Sequence, residues 1–216
     1  MARKLKPRKS NFSVVVIVDG ADEKWYLEKV KENYRPEILG KIKIEPDLVQ
    51  KKKVSNLFSE AKTRIERGCS KVILVLDFDE IVKDGRELKE FKEWYSIYQT
   101  MKTNTIKNYA WMEKLVLIIN SPCIEYWFLL HFRKTTKFYP DIKSMKNDMS
   151  SIPALRDYEK SNSFYMKNPN IYMRLGGNKG LKAARKNAVP FNLEYCQNKG
   201  FSEMNQLFDF FDSLEA

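Results

Sequence analysis

Two short apolar runs, each ending at an acidic residue, restrict the possible folds of this chain more than any other feature. Residues 14–18 read VVVIV and residues 72–76 read VILVL, so both runs are rich in β-branched side chains. Uninterrupted runs of this kind are typical of parallel strands that are buried on both faces. Helical patterns separate such runs along the chain, which predicts an α/β fold with a parallel sheet flanked by helices.

The rest of the chain continues this alternation. Strands are expected at residues 12–18, 41–45, 71–76 and 114–119. Helices are expected at residues 21–34, 55–67, 84–103, 123–132 and 202–216. Ser55, Ser121 and Ser202 are the expected N-caps, because a serine hydroxyl can accept a hydrogen bond from a free N–H group of the first turn. We divide the chain into a basic flexible arm (1–11), an α/β domain (12–132) and a basic, aromatic, α-rich extension (133–216) packed on that domain.

Composition and charge limit the classes of partner. The 216 residues carry a net charge of +11 and are 43% apolar, which is typical of a globular protein with an anionic partner. Nucleic acid is the first candidate and an anionic membrane surface is the second. No apolar stretch approaches the roughly 18 residues of a membrane span, and the run after the basic arm lacks the cleavage site of a signal peptide. Cys69, Cys123 and Cys196 form no CxxC pair, which indicates a reducing cytoplasm rather than a zinc or disulfide framework.

Acidic residues follow the two apolar runs. Asp19 ends the first run, and Asp77 and Asp79 follow the second. The crevice of an open parallel sheet lies beyond the carboxyl ends of its strands. In a strand-like extension, Asp77 and Asp79 would point the same way, so all three carboxylates could hold Mg²⁺ or Mn²⁺. The alternative is a solvated acidic turn. Glu80 is expected to face away from the pair and to support the site from outside.

Several other polar residues are candidates for the same site. Glu23 lies in the first turn of the helix after Gly20, where the helix dipole alone would also favour an acid. Glu125 and His131 lie on the apolar helix 123–132, about 240° apart around its axis, so one at most faces the crevice. Glu125 is the better catalytic candidate, whereas His131, a supporting residue at most, has a hydrogen-bonded core position as its more ordinary explanation. Two supporting residues precede this helix, Asn120 and Ser121.

The segment 160–200 is strongly basic. It contains eight Lys and Arg and one acid, Glu194, with aromatic residues between them. Cations contact phosphates and aromatic rings stack on exposed bases, so this segment is a candidate nucleic-acid surface. The alternative is a solvated lysine-rich face whose aromatic residues belong to the core. The candidate nucleic-acid-binding residues are Arg174, Lys179, Lys182, Arg185 and Lys186.

Three motifs together resemble one protein family. The first strand ends in an acid followed by glycine (VVVIVDG), a later strand ends in DFD, and NSPCIEYWFLLHF follows the fourth. This arrangement resembles the RloB-like family of the Toprim group, which includes topoisomerases, primases and old-family nucleases. The resemblance implies a Toprim fold over residues 12–132, a divalent metal held by aspartates, and a glutamate at the first strand end as general acid/base. This chain has Asp19 at that position, one methylene shorter, so either Asp19 or Glu23 would move the proton, or activity would be reduced or lost.

The resemblance also implies a function. It indicates a magnesium- or manganese-dependent nuclease that cleaves tRNA or DNA, a toxin-like effector of bacterial anti-phage defence that works with an ATPase partner. One alternative is a non-catalytic nucleic-acid-binding module, or a subunit of the ATPase, with a degenerate Toprim site. A second is a haloacid-dehalogenase-type phosphotransferase, since DFDEI is similar to that group's DxDx[TV] motif. That motif belongs on the first strand, and here it follows a later one.

Overall fold

A five-stranded sheet forms the centre of the protein in the computed structural model, which describes residues 13–46 and 52–215. The strands are β1 (Val14–Val18), β2 (Lys43–Glu45), β3 (Lys71–Asp77), β4 (Leu115–Ser121) and β5 (Phe201–Ser202). Their order across the sheet is β2-β1-β3-β4-β5, and every pair is parallel except β4 with β5. The predicted α/β fold class, a parallel sheet flanked by helices, is therefore confirmed.

Helices cover both faces of this sheet. They are α1 (Ala21–Asn33), α2 (Pro36–Leu39), α3 (Val54–Glu66), α4 (Phe78–Lys83), α5 (Gly85–Met101), α6 (Ile124–Leu130), α7 (Ile142–Ser150), α8 (Asn162–Met166), α9 (Ile171–Arg174), α10 (Gly177–Asn187) and α11 (Met204–Ser213). No helix in the described ranges has the length and apolar character that a membrane span requires.

The sheet separates two apolar layers. Alternate residues of β1 face opposite layers, with Val16 in one and Ile17 in the other. The first layer contains side chains of α1, α6 and most of the buried apolar residues between 139 and 211, and the second contains those of α3 and α5 together with Phe191 and Phe201. Because both faces of the sheet are covered, β1 and β3 are apolar without interruption.

Three predicted helix starts are wrong. Helix α3 begins at Val54, one residue before Ser55, and the Val54 N–H donates to Glu87 Oε2 at 2.8 Å. Ser121 is instead the last residue of β4, and Cys123 precedes the first residue of α6. Ser202 lies in β5, a two-residue strand that is too short to leave a pattern in the sequence.

The chain also turns earlier after β3 than expected. The backbone N–H groups of Phe78 and Asp79 both donate to the Pro122 carbonyl at 2.9 Å. This contact ends the strand at Asp77, and α4 starts at the next residue. The predicted strand-like extension through Asp79 is therefore wrong. The basic arm 1–11, and Phe12 at the predicted start of β1, lie outside the described residues.

Candidate metal centre

The carboxyl ends of β1, β3 and β4 bring four donor side chains together. In the described part of the chain, donor atoms of Asp77, Cys123 and Glu125 lie within 4.8 Å of one another. Glu23 joins them through a hydrogen bond between its carboxyl group and that of Asp77. We call Glu23, Asp77, Cys123 and Glu125 the acidic centre. Asp77 ends β3, while Glu23 and Glu125 occupy the first turns of α1 and α6.

Glu23 and Asp77 form a close carboxyl pair. Glu23 is 2% exposed, and its side chain folds back over Gly20, where an added Cβ would lie 2.3 Å from Glu23 Oε2. Burial, despite the hydrogen bond from Asp77, raises the pKa of Glu23 to about 7. Burial and the neighbouring carboxylates, Glu23 first among them, raise the pKa of Asp77 well above its usual range. The pair therefore holds a proton near neutral pH that a bound cation would displace.

Tyr158 and Lys160 hold one carboxylate oxygen of Glu125. Glu125 is fully buried, and its Oε1 accepts hydrogen bonds from the Tyr158 hydroxyl at 2.7 Å and from Lys160 Nζ at 2.8 Å. Lys160 Nζ also lies 3.2 Å from an Asp22 oxygen. Burial disfavours the charged Lys160 amine, but the charges of Glu125 and Asp22 outweigh it and raise its pKa. Lys160 therefore places a fixed positive charge at the edge of the acidic centre.

These residues fit a divalent cation. Oε2 of Glu125 is buried and accepts no hydrogen bond from the described residues, and Oε2 of Glu23 is buried with no partner other than the carboxyl group of Asp77. Such buried carboxylate oxygens need a partner, and a cation supplies one. Burial first, and then the charges of Glu125 and Asp77, raise the pKa of the Cys123 thiol, so its sulfur is protonated while the centre holds no cation. The carboxylate oxygens of the acidic centre are the kind of donor that hard divalent cations bind.

The three predicted metal ligands do not all meet. Asp77 belongs to the acidic centre, but Asp19 and Asp79 are not in the group whose donor atoms lie within 4.8 Å in the described ranges. Asp19 lines a cavity of about 240 Å³, next to α3 and α4, that Glu80 also lines. Asp79 lies in the first turn of α4, where Lys83 Nζ is 3.3 Å from its Oδ2 and also contacts Glu80.

Of the predicted supporting residues, some lie beside the acidic centre and others do not. Asn120 is buried beside Asp77, with its Nδ2 3.5 Å from Asp77 Oδ1, and it accepts a hydrogen bond from Ser202 Oγ at 2.7 Å. Ser121 is buried at the end of β4. His131 is buried beside Trp127, with its Nδ1 3.0 Å from the Trp127 carbonyl, and burial lowers its pKa to about 4. This neutral histidine occupies the hydrogen-bonded core position that the sequence offered as the alternative.

The predicted basic surface is partly neutralised. Arg174 pairs with Asp157 at 2.9 Å, and Arg185 pairs with both Asp209 and Asp212. Lys179, Lys182 and Lys186 are exposed. Of the aromatic residues that the sequence placed between these cations, Tyr195 is 41% exposed, and four are buried: Phe164, Tyr165, Tyr172 and Phe191. Those four belong to the core, so base stacking on them is excluded.

Sequence reasoning missed four members of the site or its rim. Cys123 lies two residues before Glu125 in the quoted motif, so its position was within reach. Asp22 directly precedes Glu23, and an acid in the first turn of a helix is already explained by the helix dipole. Tyr158 and Lys160 come from a loop, and Tyr158 lies 33 residues after Glu125 in the sequence. No local sequence pattern signals their contact with Glu125.

Comparison with known proteins gives one match. The family model described as RloB-like protein matches residues 14–209, which includes β1, the acidic centre and most of α11. A search of curated proteins and a search of solved structures each found no match.

Proposed function

The chain belongs to the RloB-like protein family, and from this premise we propose that it is a metal-dependent nuclease of the Toprim type. The acidic centre carries the proposal: donor atoms of Asp77, Cys123 and Glu125 lie within 4.8 Å at the carboxyl end of a parallel sheet. Carboxylates in such a crevice typically bind the metal of a phosphoryl-transfer enzyme. The net charge of +11 favours a polyanionic substrate, and the substrate is tRNA or DNA.

Each residue has a role in this proposal. Asp77 and Glu125 hold Mg²⁺ or Mn²⁺, which when bound polarises the scissile phosphate. Glu23 moves the proton, since a pKa of about 7 suits a general acid/base at neutral pH. The Lys160 amine neutralises charge on a phosphate oxygen. Asp19 and Asp79 flank the centre, and Asp19 takes the proton if Glu23 does not.

Cleavage assays with isosteric variants test the proposal. Purified protein is incubated with tRNA, plasmid and single-stranded DNA in Mg²⁺, Mn²⁺ or EDTA. Asp77→Asn and Glu125→Gln should each reduce cleavage at least about 100-fold, because the metal loses a charged ligand. Glu203→Gln is the matched control, since Glu203 is also a buried carboxylate but contacts the backbone of Ile119 and Phe191 instead. Unchanged cleavage by Asp77→Asn and Glu125→Gln would exclude this centre as the active site.

Metal binding is measured separately from cleavage. Calorimetric titration with Mn²⁺ should show one binding event for the natural chain and a much weaker one for Asp77→Asn. A chain that binds nucleic acid but cleaves none of the three substrates under any metal would favour the alternative, a non-catalytic binding module. That alternative draws on Asp19, which is shorter than the glutamate that the resemblance implies.

The biological setting is a further part of the proposal. We infer a toxin-like effector of bacterial anti-phage defence, acting in the cytoplasm with an ATPase partner. Co-expression with an ATPase encoded beside it, followed by copurification and phage-challenge assays, tests this. Equal phage sensitivity with the natural chain and with Asp77→Asn would argue against a defence role while leaving the nuclease proposal intact.

A further inference from the structure

A groove next to the acidic centre combines apolar walls with a basic rim. It has a volume of about 300 Å³ and lies between α7 and the loop at residues 155–160. Ile142, Met149 and Leu155 supply apolar surface, and the rim carries Lys143, Lys146 and Arg156. We call this the α7 groove. Its size is at the lower end of the range for small-molecule sites, which suits a single nucleotide unit.

Two residues connect the α7 groove to the acidic centre. Tyr158 and Lys160 both line the groove. Both also contact Glu125 Oε1, at 2.7 Å and 2.8 Å. A ligand in the groove is therefore separated from the carboxylates by one layer of side chains, and its phosphate can reach the Lys160 amine.

The cations of the rim are available for a ligand. Lys143, Lys146 and Arg156 are exposed and form no salt bridge with any residue in 13–46 or 52–215. Glu159 is the acid among the groove's lining residues, so the rim remains positive. Arg174 and Arg185 on the surface predicted from the sequence differ, because aspartates already pair with both. A cation without a carboxylate partner can bind a phosphate without first giving up an ion pair.

We propose that the α7 groove binds an unpaired nucleotide next to the phosphodiester that the acidic centre cleaves, an inference that rests on the proposed function. The rim cations contact flanking phosphates, and the apolar walls hold the base. A base stacked inside a duplex cannot reach such walls, so the substrate is single-stranded or looped at the cleavage point. RNA and DNA both supply such a nucleotide, and the test compares the two.

A binding assay in EDTA tests the groove without cleavage. Fluorescence anisotropy is recorded with labelled single-stranded RNA, single-stranded DNA and duplex of about 12 nucleotides. The groove variant is Lys143→Glu/Lys146→Glu/Arg156→Glu. The matched control, Lys89→Glu/Lys107→Glu/Lys114→Glu, makes the same change in net charge at exposed lysines of α5 and of the segment 107–114.

The groove variant should bind single strands at least about tenfold more weakly than the control variant. Its plot of log affinity against log salt should be shallower by roughly 2, since three phosphate contacts are lost at about 0.7 each. Single strands should bind the natural chain more tightly than the duplex. Thermal melting checks that each variant folds, and Arg156→Ala, a milder change, should give a smaller loss in the same direction.

Three results would overturn the inference: equal losses in the groove and control variants, duplex binding as tight as single-strand binding, or a larger loss from Lys179→Glu/Lys182→Glu/Lys186→Glu. Its failure is distinguishable from that of the proposed function. Groove-dependent binding without any cleavage would defeat the nuclease alone, and metal-dependent cleavage with groove-independent binding would defeat the groove alone.

Discussion

Gly20 determines where the Glu23 carboxyl group can lie. Its backbone is extended (φ −125°), so alanine is allowed there by conformation, but an added Cβ would lie 2.3 Å from Glu23 Oε2. In Gly20→Ala the flexible end of Glu23 moves away from Asp77, and the fold is retained. Because Glu23 moves the proton, we expect cleavage to fall at least about tenfold, with about 1 kcal/mol lost in the free energy of unfolding. Gly85→Ala is the control, because a Cβ there would meet no atom within 4 Å. Cleavage assays and urea unfolding measure both quantities, and unchanged cleavage by Gly20→Ala would contradict the expectation.

Glu203 makes stability depend on pH at a site away from the acidic centre. It is 7% exposed, and burial raises its pKa to about 7 despite hydrogen bonds from the N–H groups of Ile119 and Phe191. The folded state therefore keeps a proton that the unfolded state releases above pH 4.5. The sign follows from linkage: stability falls as the pH rises from about 4.5 to 7, and then levels off.

Glu203→Gln removes this contribution. The variant should lose less stability than the natural chain between pH 5 and pH 8, and the difference between the two should be on the order of 3 kcal/mol. Urea unfolding across that pH range measures it. Glu194→Gln, at an exposed carboxylate, should leave the profile unchanged, and parallel profiles for Glu203→Gln and the natural chain would refute the assignment.

The sequence indicated some residues of the acidic centre and not others, for a physical reason. Asp77 is detectable because it ends an apolar run, and parallel strands end at one edge of the sheet. Glu125 and Glu23 occupy first turns of helices that start at the same edge, so topology alone brings them near. Tyr158 and Lys160 reach Glu125 from a distant loop, and contacts of that kind depend on packing that a single sequence does not encode locally.

Among the elements, the parallel strands and the start of α1 at Ala21 were predictable, but the starts of α3, α4, α6 and α11 were not. An apolar run has to be buried, whatever surrounds it, and β1, β3 and β4 follow that rule. The start of α4 depends instead on one tertiary contact, the Pro122 carbonyl that accepts the N–H groups of Phe78 and Asp79. The sequence does not reveal this contact, so the DFD motif suggests that the strand continues. Its two aspartates would then point the same way, whereas Asp77 ends β3 and Asp79 lies in α4.

The end of α11 depends on a cap from a distant part of the chain. Arg35 donates from Nη1 to the Phe211 carbonyl at 2.6 Å and from Nη2 to the Leu214 carbonyl at 2.7 Å. The last carbonyls of a helix lack partners within it, and a guanidinium group satisfies two of them here. Arg35→Ala should lower the free energy of unfolding by about 2 kcal/mol. Arg35→Lys, which has a single amine in place of the guanidinium group, should lose nearly as much stability as Arg35→Ala. Urea unfolding measures the series, with Arg156→Ala as a control, and an unchanged midpoint for Arg35→Ala would exclude the cap.

At the scale of the whole molecule, the fold class followed from the order of strands and helices, while the location of the charge did not. Net charge gives the sign of the partner, but the distribution of that charge depends on which cations find acids in the folded chain. Arg174 and Arg185 lie in the most basic stretch of the sequence and are paired. Lys143 and Lys146 lie in a less basic stretch and form no salt bridge with the described residues, so exposed positive charge is shared between α7 and the exposed lysines of α10.

The acidic centre also affects the free energy of unfolding of the whole chain. Burial and the neighbouring carboxylates oppose ionisation of Asp77 in the folded state, so the metal-free protein carries a penalty at pH 8 that a neutral side chain removes. Asp77→Asn should therefore raise the metal-free free energy of unfolding, by roughly 1 to 3 kcal/mol. Mn²⁺ at a hundredfold excess over its Kd should stabilise the natural chain by about 2.7 kcal/mol, or roughly 5 to 10 °C in Tm, and should leave Asp77→Asn unmoved.

The control for this prediction is a carboxylate whose pKa is shifted in the opposite direction. Asp84 is an exposed carboxylate whose pKa is lowered by the backbone N–H groups of Arg86 and Glu87, so the folded state favours its charged form. Asp84→Asn should not raise the metal-free Tm, and it should keep the full response to Mn²⁺. Scanning calorimetry with and without Mn²⁺ measures all three proteins. A destabilised metal-free Asp77→Asn would mean that Asp77 stabilises the fold, and the acidic centre would then be an ordinary buried network and not a site strained for a cation.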